Sequence, residues 1–216
     1  MGKKRGQNYR PKPHRQEKFY VQAKDEGYRA RAIFKLKEID EKYHLFENAR
    51  CVVDLCCAPG SWLEYCVETL QNSTPIDAEG GFYVLGVDQV YVRPFEGMDL
   101  IRADITRDDI SDLILGKLPA PADLLLSDCA PHESGQRAAD ADAQAYLFEK
   151  ALAIADRVLA PGGAYVGKLL QGAEFNHLLE EMRVKFAKVA NMKPKASRPG
   201  SPEMYVIGKG FRPNRS

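Results

Sequence analysis

Residues 52–62, Val-Val-Asp-Leu-Cys-Cys-Ala-Pro-Gly-Ser-Trp, constrain the fold more than any other stretch of the chain. The β-branched pair Val52-Val53 ends in Asp54 and passes through small residues to Pro59-Gly60, where the helical pattern of 62–70 begins. A buried strand feeding a tight loop and then a helix N-terminus is the unit from which open α/β sheets build ligand crevices. The small side chains of this loop let a ligand come close to the backbone. The dinucleotide pattern Gly-x-Gly-x-x-Gly is missing, and Pro59 removes an N–H that a pyrophosphate would want. A cationic or zwitterionic nucleoside suits the loop better than a diphosphate.

Three further strand-like runs repeat the design. Residues 83–87 lead into Asp88, 98–103 into Asp104, and Ala122–Ser127 into Asp128. One such aspartate is an ordinary cap or turn residue. Four of them, with Asp54, would gather on the carboxyl edge of a parallel sheet, where the acid after the second strand accepts hydrogen bonds from a ribose diol. Asp88 lies 28 residues beyond Gly60, and the polar stretch 71–81 accounts for the excess as a surface insertion. A fifth strand, 164–167, leads into Lys168. The last, 203–208, opens on Glu203, the only acid in the final 34 residues.

The formal net charge of +1 conceals a segregation of sign. Residues 1–37 carry a balance of +9, residues 38–182 one of −16, and residues 183–216 one of +8. Two basic ends around an acidic middle point to a polyanion held by both termini. Residues 1–15 read as a basic, flexible arm. Residues 24–42 read as a helix, because Tyr28, Ala32, Leu36, Ile39 and Tyr43 make one apolar stripe. Arg29, Arg31 and Lys35 are then displayed near its edge to meet phosphates.

A chain of 216 residues, 44% hydrophobic, fits one α/β domain over 16–211, with a helical part over 16–45, a core over 50–211 and a tail at 212–216. No apolar run reaches membrane-spanning length, and the polar N-terminus lacks a signal-peptide core, so the expectation is a cytoplasmic protein and a monomer. The five cysteines have no Cys-x-x-Cys spacing and read as free thiols in a reducing cytosol rather than disulfides. The four histidines are scattered, and no metal site is expected.

The loop at 54–62, the segment 27–36 (Gly-Tyr-Arg-Ala-Arg-Ala-Ile-Phe-Lys-Leu), Ser127-Asp128-Cys129-Ala130-Pro131, Lys168-Leu169-Leu170-Gln171-Gly172 and the segment 197–205 occur in one order. Together they resemble the FtsJ/RrmJ (RlmE) family of 2′-O-ribose RNA methyltransferases, over residues 17 to 211. Cys56 stands where bacterial members of that family usually have Gly, and Ala196 and Pro202 alter the segment before Glu203. The resemblance implies a Rossmann-like class I methyltransferase fold: an open, mostly parallel seven-stranded sheet with helices on both faces, its last strand pairing antiparallel through the turn 193–202.

It also implies S-adenosylmethionine as cofactor and a Lys35-Asp128-Lys168-Glu203 catalytic tetrad. A ribose hydroxyl is a poor nucleophile and must lose its proton as it attacks. Lys168 is assigned as proton acceptor, Lys35 and Glu203 as orienting groups, and Asp128 as the residue that holds Lys168. Gly60 and Trp62 should line the methionine end of the cofactor, Asp88 take its ribose hydroxyls, Asp104 its adenine amine, and Asp128 its reacting end. RNA should be met by Arg29, Arg31, Lys35 and Arg198. A base methylase would place an aromatic after the fourth strand, whereas Asp-Cys-Ala-Pro-His has none. The implied substrate is a uridine of large-subunit ribosomal RNA, with a tRNA anticodon loop, or a non-catalytic ribosome-assembly role, as alternatives.

Overall fold

The structure is a computed structural model that describes residues 15–73, 81–131, 134–198 and 200–213. Residues 1–14 of the expected N-terminal arm therefore lie outside the described residues, while Arg15 opens the first helix; most of the expected insertion, at 74–80, lies outside as well. Seven strands form one sheet in the order β3-β2-β1-β4-β5-β7-β6. The strands are β1 (Cys51–Leu55), β2 (Tyr83–Asp88), β3 (Asp99–Arg102), β4 (Ala122–Ser127), β5 (Leu159–Leu170), β6 (Phe186–Met192) and β7 (Glu203–Phe211). All neighbouring pairs from β3 to β5 are parallel, while β7 runs antiparallel to both β5 and β6. The expected mostly parallel sheet with an antiparallel last strand is what forms.

Helices cover both faces. On one face α4 (Ile110–Leu115), α5 (Arg137–Val158) and α6 (Phe175–Lys185) bury Ile114, Phe148 and Met182 against Val53, Leu125 and Tyr165. On the other, α2 (Ile33–Tyr43) and α3 (Ser61–Ser73) bury Leu36, Ile39, Trp62 and Cys66 against Val52, Leu126 and Tyr205. Double coverage explains why β1 is buried at all five positions and reads as a continuous run rather than an alternation. Among the described residues no helix is long and apolar enough to cross a membrane.

Three expectations need correction. The single helix over 24–42 is two helices: α1 (Arg15–Asp25) stops, Gly27 turns at φ +82°, and α2 begins at Ile33. Leu36 and Ile39 keep the helical face, whereas Tyr28 and Ala32 lie in the connecting turn. There Tyr28 joins a small separate core of Ala23, Ile33, Phe34 and Ala196. Asp54 does not end its strand but sits inside β1, 1% exposed, with Oδ2 lacking a hydrogen-bond partner. Burial, with Asp128 and Asp88 nearby, pushes its carboxyl well above the usual range. Finally, the five cysteines are not all free: Cys56 and Cys129 form a disulfide across 73 residues, leaving Cys51, Cys57 and Cys66 as thiols. Spacing in the chain hides the pair because β1 and β4 are neighbours in the sheet. Leu55 and Ser127 are register partners, so both loops leave the sheet side by side.

Candidate active site

The chain reverses its winding between β1 and β4, since α3 follows β1 onto one face and α5 follows β4 onto the other. Ligand crevices open at such switch points, beyond the carboxyl ends of the strands. A cavity of about 530 Å³ opens there, lined by Cys56, Ala58, Asp88, Val90, Asp104, Ile105, Asp128, Ala130, Tyr146 and Leu147 among others. Three of the four expected acids therefore meet in one mostly apolar cavity. Asp88 accepts the N–H of Ala58 at 2.8 Å and that of Val90 at 2.7 Å, which fixes its carboxylate while leaving acceptor positions free. Asp104 accepts the backbone N–H and hydroxyl of Thr106 at 2.9 and 2.8 Å, and these bonds hold it below the usual carboxylate range. An apolar cavity of this size with three convergent carboxylates fits a nucleoside bearing a diol, an exocyclic amine and a positive charge. S-Adenosylmethionine has all three.

Asp128 also belongs to a second cluster. Lys168 on β5 lies 3.2 Å from Asp128 Oδ1 and donates to its backbone oxygen at 2.9 Å. Across β7, Lys35 on α2 lies 2.9 Å from Glu203 Oε1. That pair is held by charge rather than by an aligned hydrogen bond, so Glu203 Oε1 is buried with an unfilled acceptor position. Tyr205 joins the two halves. Its hydroxyl donates to Asp128 Oδ1 at 2.5 Å and accepts from Lys35 Nζ at 3.0 Å. Burial raises the Asp128 carboxyl, but Lys168, Lys35 and the tyrosine hydroxyl outweigh it and keep the group an anion, below its ordinary range. Burial and the neighbouring carboxylates of Asp128 and Glu203 push the Tyr205 phenol well up, so it stays a donor. The expected tetrad is thus brought together, and Tyr205 is a member that sequence reasoning missed. Its signal was there, because Glu203 and Tyr205 are two apart on one strand and point to one face.

Other expected site residues take different places. Trp62 is 3% exposed, its Nε1–H donates to Ala32 O at 2.9 Å, and its ring tilts against Tyr205 at 5.9 Å. The indole belongs to the core, and Trp62 is outside the cavity lining. Gly60, at φ +109°, is outside the cavity lining; a Cβ there would meet Arg29 Nη1 at 3.0 Å. Arg29 is not displayed for phosphates. It pairs with Glu64 at 2.8 Å, donates to Pro59 O and Arg93 O, and lies over the Phe95 ring. Lys35, with a side chain 12% exposed, is committed to Glu203 and Tyr205 rather than to the surface. Arg31 is half-buried with Nη1 unpartnered, and Arg198 is exposed.

Residues 28–211 match the family described as FtsJ-like methyltransferase. The chain belongs to that family. Among its relatives is the ribosomal RNA large subunit methyltransferase E of Methanothrix thermoacetophila, 41% identical over 88% of this chain and 71% of the relative. A protein of the same name from Hydrogenovibrio crunogenus is 38% identical over 92% of this chain and 93% of its own length. A solved structure from Plasmodium falciparum, titled a ribosomal RNA methyltransferase, covers 85% of this chain and 98% of that one, with 26% identity and a TM-score of 0.73. This member of the FtsJ-like family therefore places the cavity and the Lys-Asp-Lys-Glu cluster on a methyltransferase fold, with Asp128 common to both.

Proposed function

We propose that this FtsJ-like chain transfers a methyl group from S-adenosylmethionine to a ribose 2′-hydroxyl of large-subunit ribosomal RNA. One observation carries the reading: Asp128 lines the cofactor-sized cavity and is also the anchor of Lys168 and Tyr205. The names of the relatives support the choice of RNA. When bound, the cofactor supplies an electrophilic methyl group on a sulfonium.

The chain's own residues then handle the acceptor. Glu203 Oε1, 2.9 Å from Lys35 Nζ, holds that ammonium in place beside the incoming hydroxyl. Lys35, fixed between Glu203 and Tyr205, donates to the ribose oxygen and sets its direction. Lys168 Nζ, entering the step as the neutral amine, takes the proton as the methyl group leaves sulfur for the ribose oxygen. Two bonds to Asp128 hold that nitrogen in place, and its amine geometry leaves one further position for the substrate.

The test is methyl transfer from labelled cofactor to purified large-subunit RNA and to a tRNA pool, followed by mapping. Label on a 2′-oxygen of the ribosomal RNA is the expected outcome. Label on tRNA alone would replace the substrate, and RNA binding without any transfer would leave only an assembly role.

The basic side chains divide into two kinds, and this yields a contrast. Arg31→Ala combined with Arg198→Ala should weaken RNA binding and flatten its salt dependence, because fewer counterions are released. Arg29→Ala should leave the salt slope alone. It should instead lower stability by roughly 1–3 kcal/mol, since Glu64 Oε1 and two carbonyl oxygens lose a donor while Glu64 Oε2 keeps the backbone N–H of residue 29. Filter binding across a salt series, with thermal melts beside it, separates the two. A flattened slope in Arg29→Ala would return that residue to the RNA surface.

A further inference from the structure

The disulfide between Cys56 and Cys129 lies where the crevice opens, beyond the adjacent strands β1 and β4. It joins the loop after β1 to the residue that follows Asp128 on β4. Cys56 is half-buried and lines the cavity, and Cys129, 1% exposed, lies between Asp128 and Ala130, both lining residues. The bridge is therefore part of the cavity wall rather than a distant staple. Cys56 is also held at φ +57°, a left-handed conformation that a side-chain-bearing residue adopts at a cost. Two residues on, the N–H of Ala58 is one of the two donors that orient Asp88, the other being that of Val90.

We propose that Cys56 and Cys129 are a reversible thiol–disulfide site that sets how tightly the cavity holds its nucleoside. This rests on the cofactor reading given above. With the bridge closed, Cys56 is tied in its left-handed conformation and Ala58 stays under Asp88. With the bridge open, the loop relaxes toward ordinary backbone angles and loosens the Asp88 contact, so preorganisation is lost.

The exchange needs only a dithiol. Its thiolate reaches Cys56 Sγ from the cavity, the S–S bond breaks, and Cys129 leaves as a thiolate that takes up a proton. The second thiol of the reductant then displaces Cys56. The protein gains two electrons and two protons, and the reductant becomes a disulfide. A low-molecular-weight disulfide runs the sequence in reverse. The other three thiols are poor competitors. Burial, with Asp123 nearby, pushes Cys51 up to about 11, and burial next to carboxylates pushes Cys57 and Cys66 up as well.

The test uses the full chain before and after dithiothreitol. Alkylation under denaturing conditions should count three thiols in the untreated protein, namely Cys51, Cys57 and Cys66, and all five after reduction. Calorimetric titration with S-adenosylhomocysteine should give a dissociation constant roughly five-fold weaker in the reduced form. The double variant Cys56→Ser, Cys129→Ser should bind like the reduced form and ignore dithiothreitol. Bound S-adenosylhomocysteine should also slow reduction of the wild-type bridge, because it covers Cys56.

Equal affinities in the two forms, a double variant that still responds to reductant, or five thiols without reduction would each overturn the proposal. Absence of binding in both forms, with the thiol counts as expected, would overturn it together with the cofactor reading. Tight binding with no change in count would overturn it alone.

Discussion

Replacing Lys168 with alanine should cut methyl transfer by about 10²- to 10⁴-fold while leaving cofactor affinity nearly unchanged. The lysine is the only group of the cluster that bonds Asp128 at both its carboxylate and its backbone oxygen. It is absent from the cavity lining, so the variant keeps the walls that hold the nucleoside. Removing it also takes away the largest of the interactions that lower the Asp128 carboxyl. Lys35 and the Tyr205 hydroxyl remain as compensating partners for that anion, and the fold should persist. Asp88→Ala is the converse control, because it strips the cavity of a fixed carboxylate and should weaken cofactor binding without touching the tetrad. Single-turnover rates and calorimetry on the two variants are the measurements. A Lys168→Ala protein that methylates RNA near the wild-type rate would move the proton acceptor elsewhere.

How much of this was legible in the sequence depends on the type of signal. Asp88, Asp104 and Asp128 were readable because a parallel strand with both faces buried is a plain apolar run, and the acid that stops it marks the sheet's carboxyl edge. Lys168 and Glu203 were readable only by family likeness; Lys168 lies inside β5, not at its end as expected. Asp54 looked like its siblings but lies one residue inside its strand, a shift too small for periodicity to resolve. Arg29 was misplaced because a helical stripe was carried through Gly27, where the chain turns. No pattern in the chain announces that Arg29 reaches Glu64, 35 residues away. The Cys56–Cys129 pair is non-local in the same sense, since only the adjacency of β1 and β4 creates it.

Trp62 gives the sharpest division between a structural and a ligand-binding role, and Trp62→Ala should destabilise the protein by roughly 3–5 kcal/mol. The indole is 3% exposed and packs in the core formed by α2, α3 and the sheet, so truncation leaves a large cavity. It also removes one of the two donors on the Ala32 carbonyl, leaving the Lys35 N–H at 3.0 Å as the other. Because the ring supports Tyr205 at 5.9 Å, the damage should spread to the tetrad before it reaches the cofactor cavity. Trp62→Phe separates the two effects. It keeps most of the apolar volume, loses the bond to Ala32, and should melt less early while still turning over more slowly than wild type. In both variants the cofactor dissociation constant, measured at a temperature where the protein remains folded, should stay close to that of the parent. Trp62 is outside the cavity lining, so neither substitution alters the walls that hold the ligand. Melting near the wild-type temperature together with a large loss of cofactor affinity would show the indole itself to be a cofactor contact, and the core assignment would have to be given up.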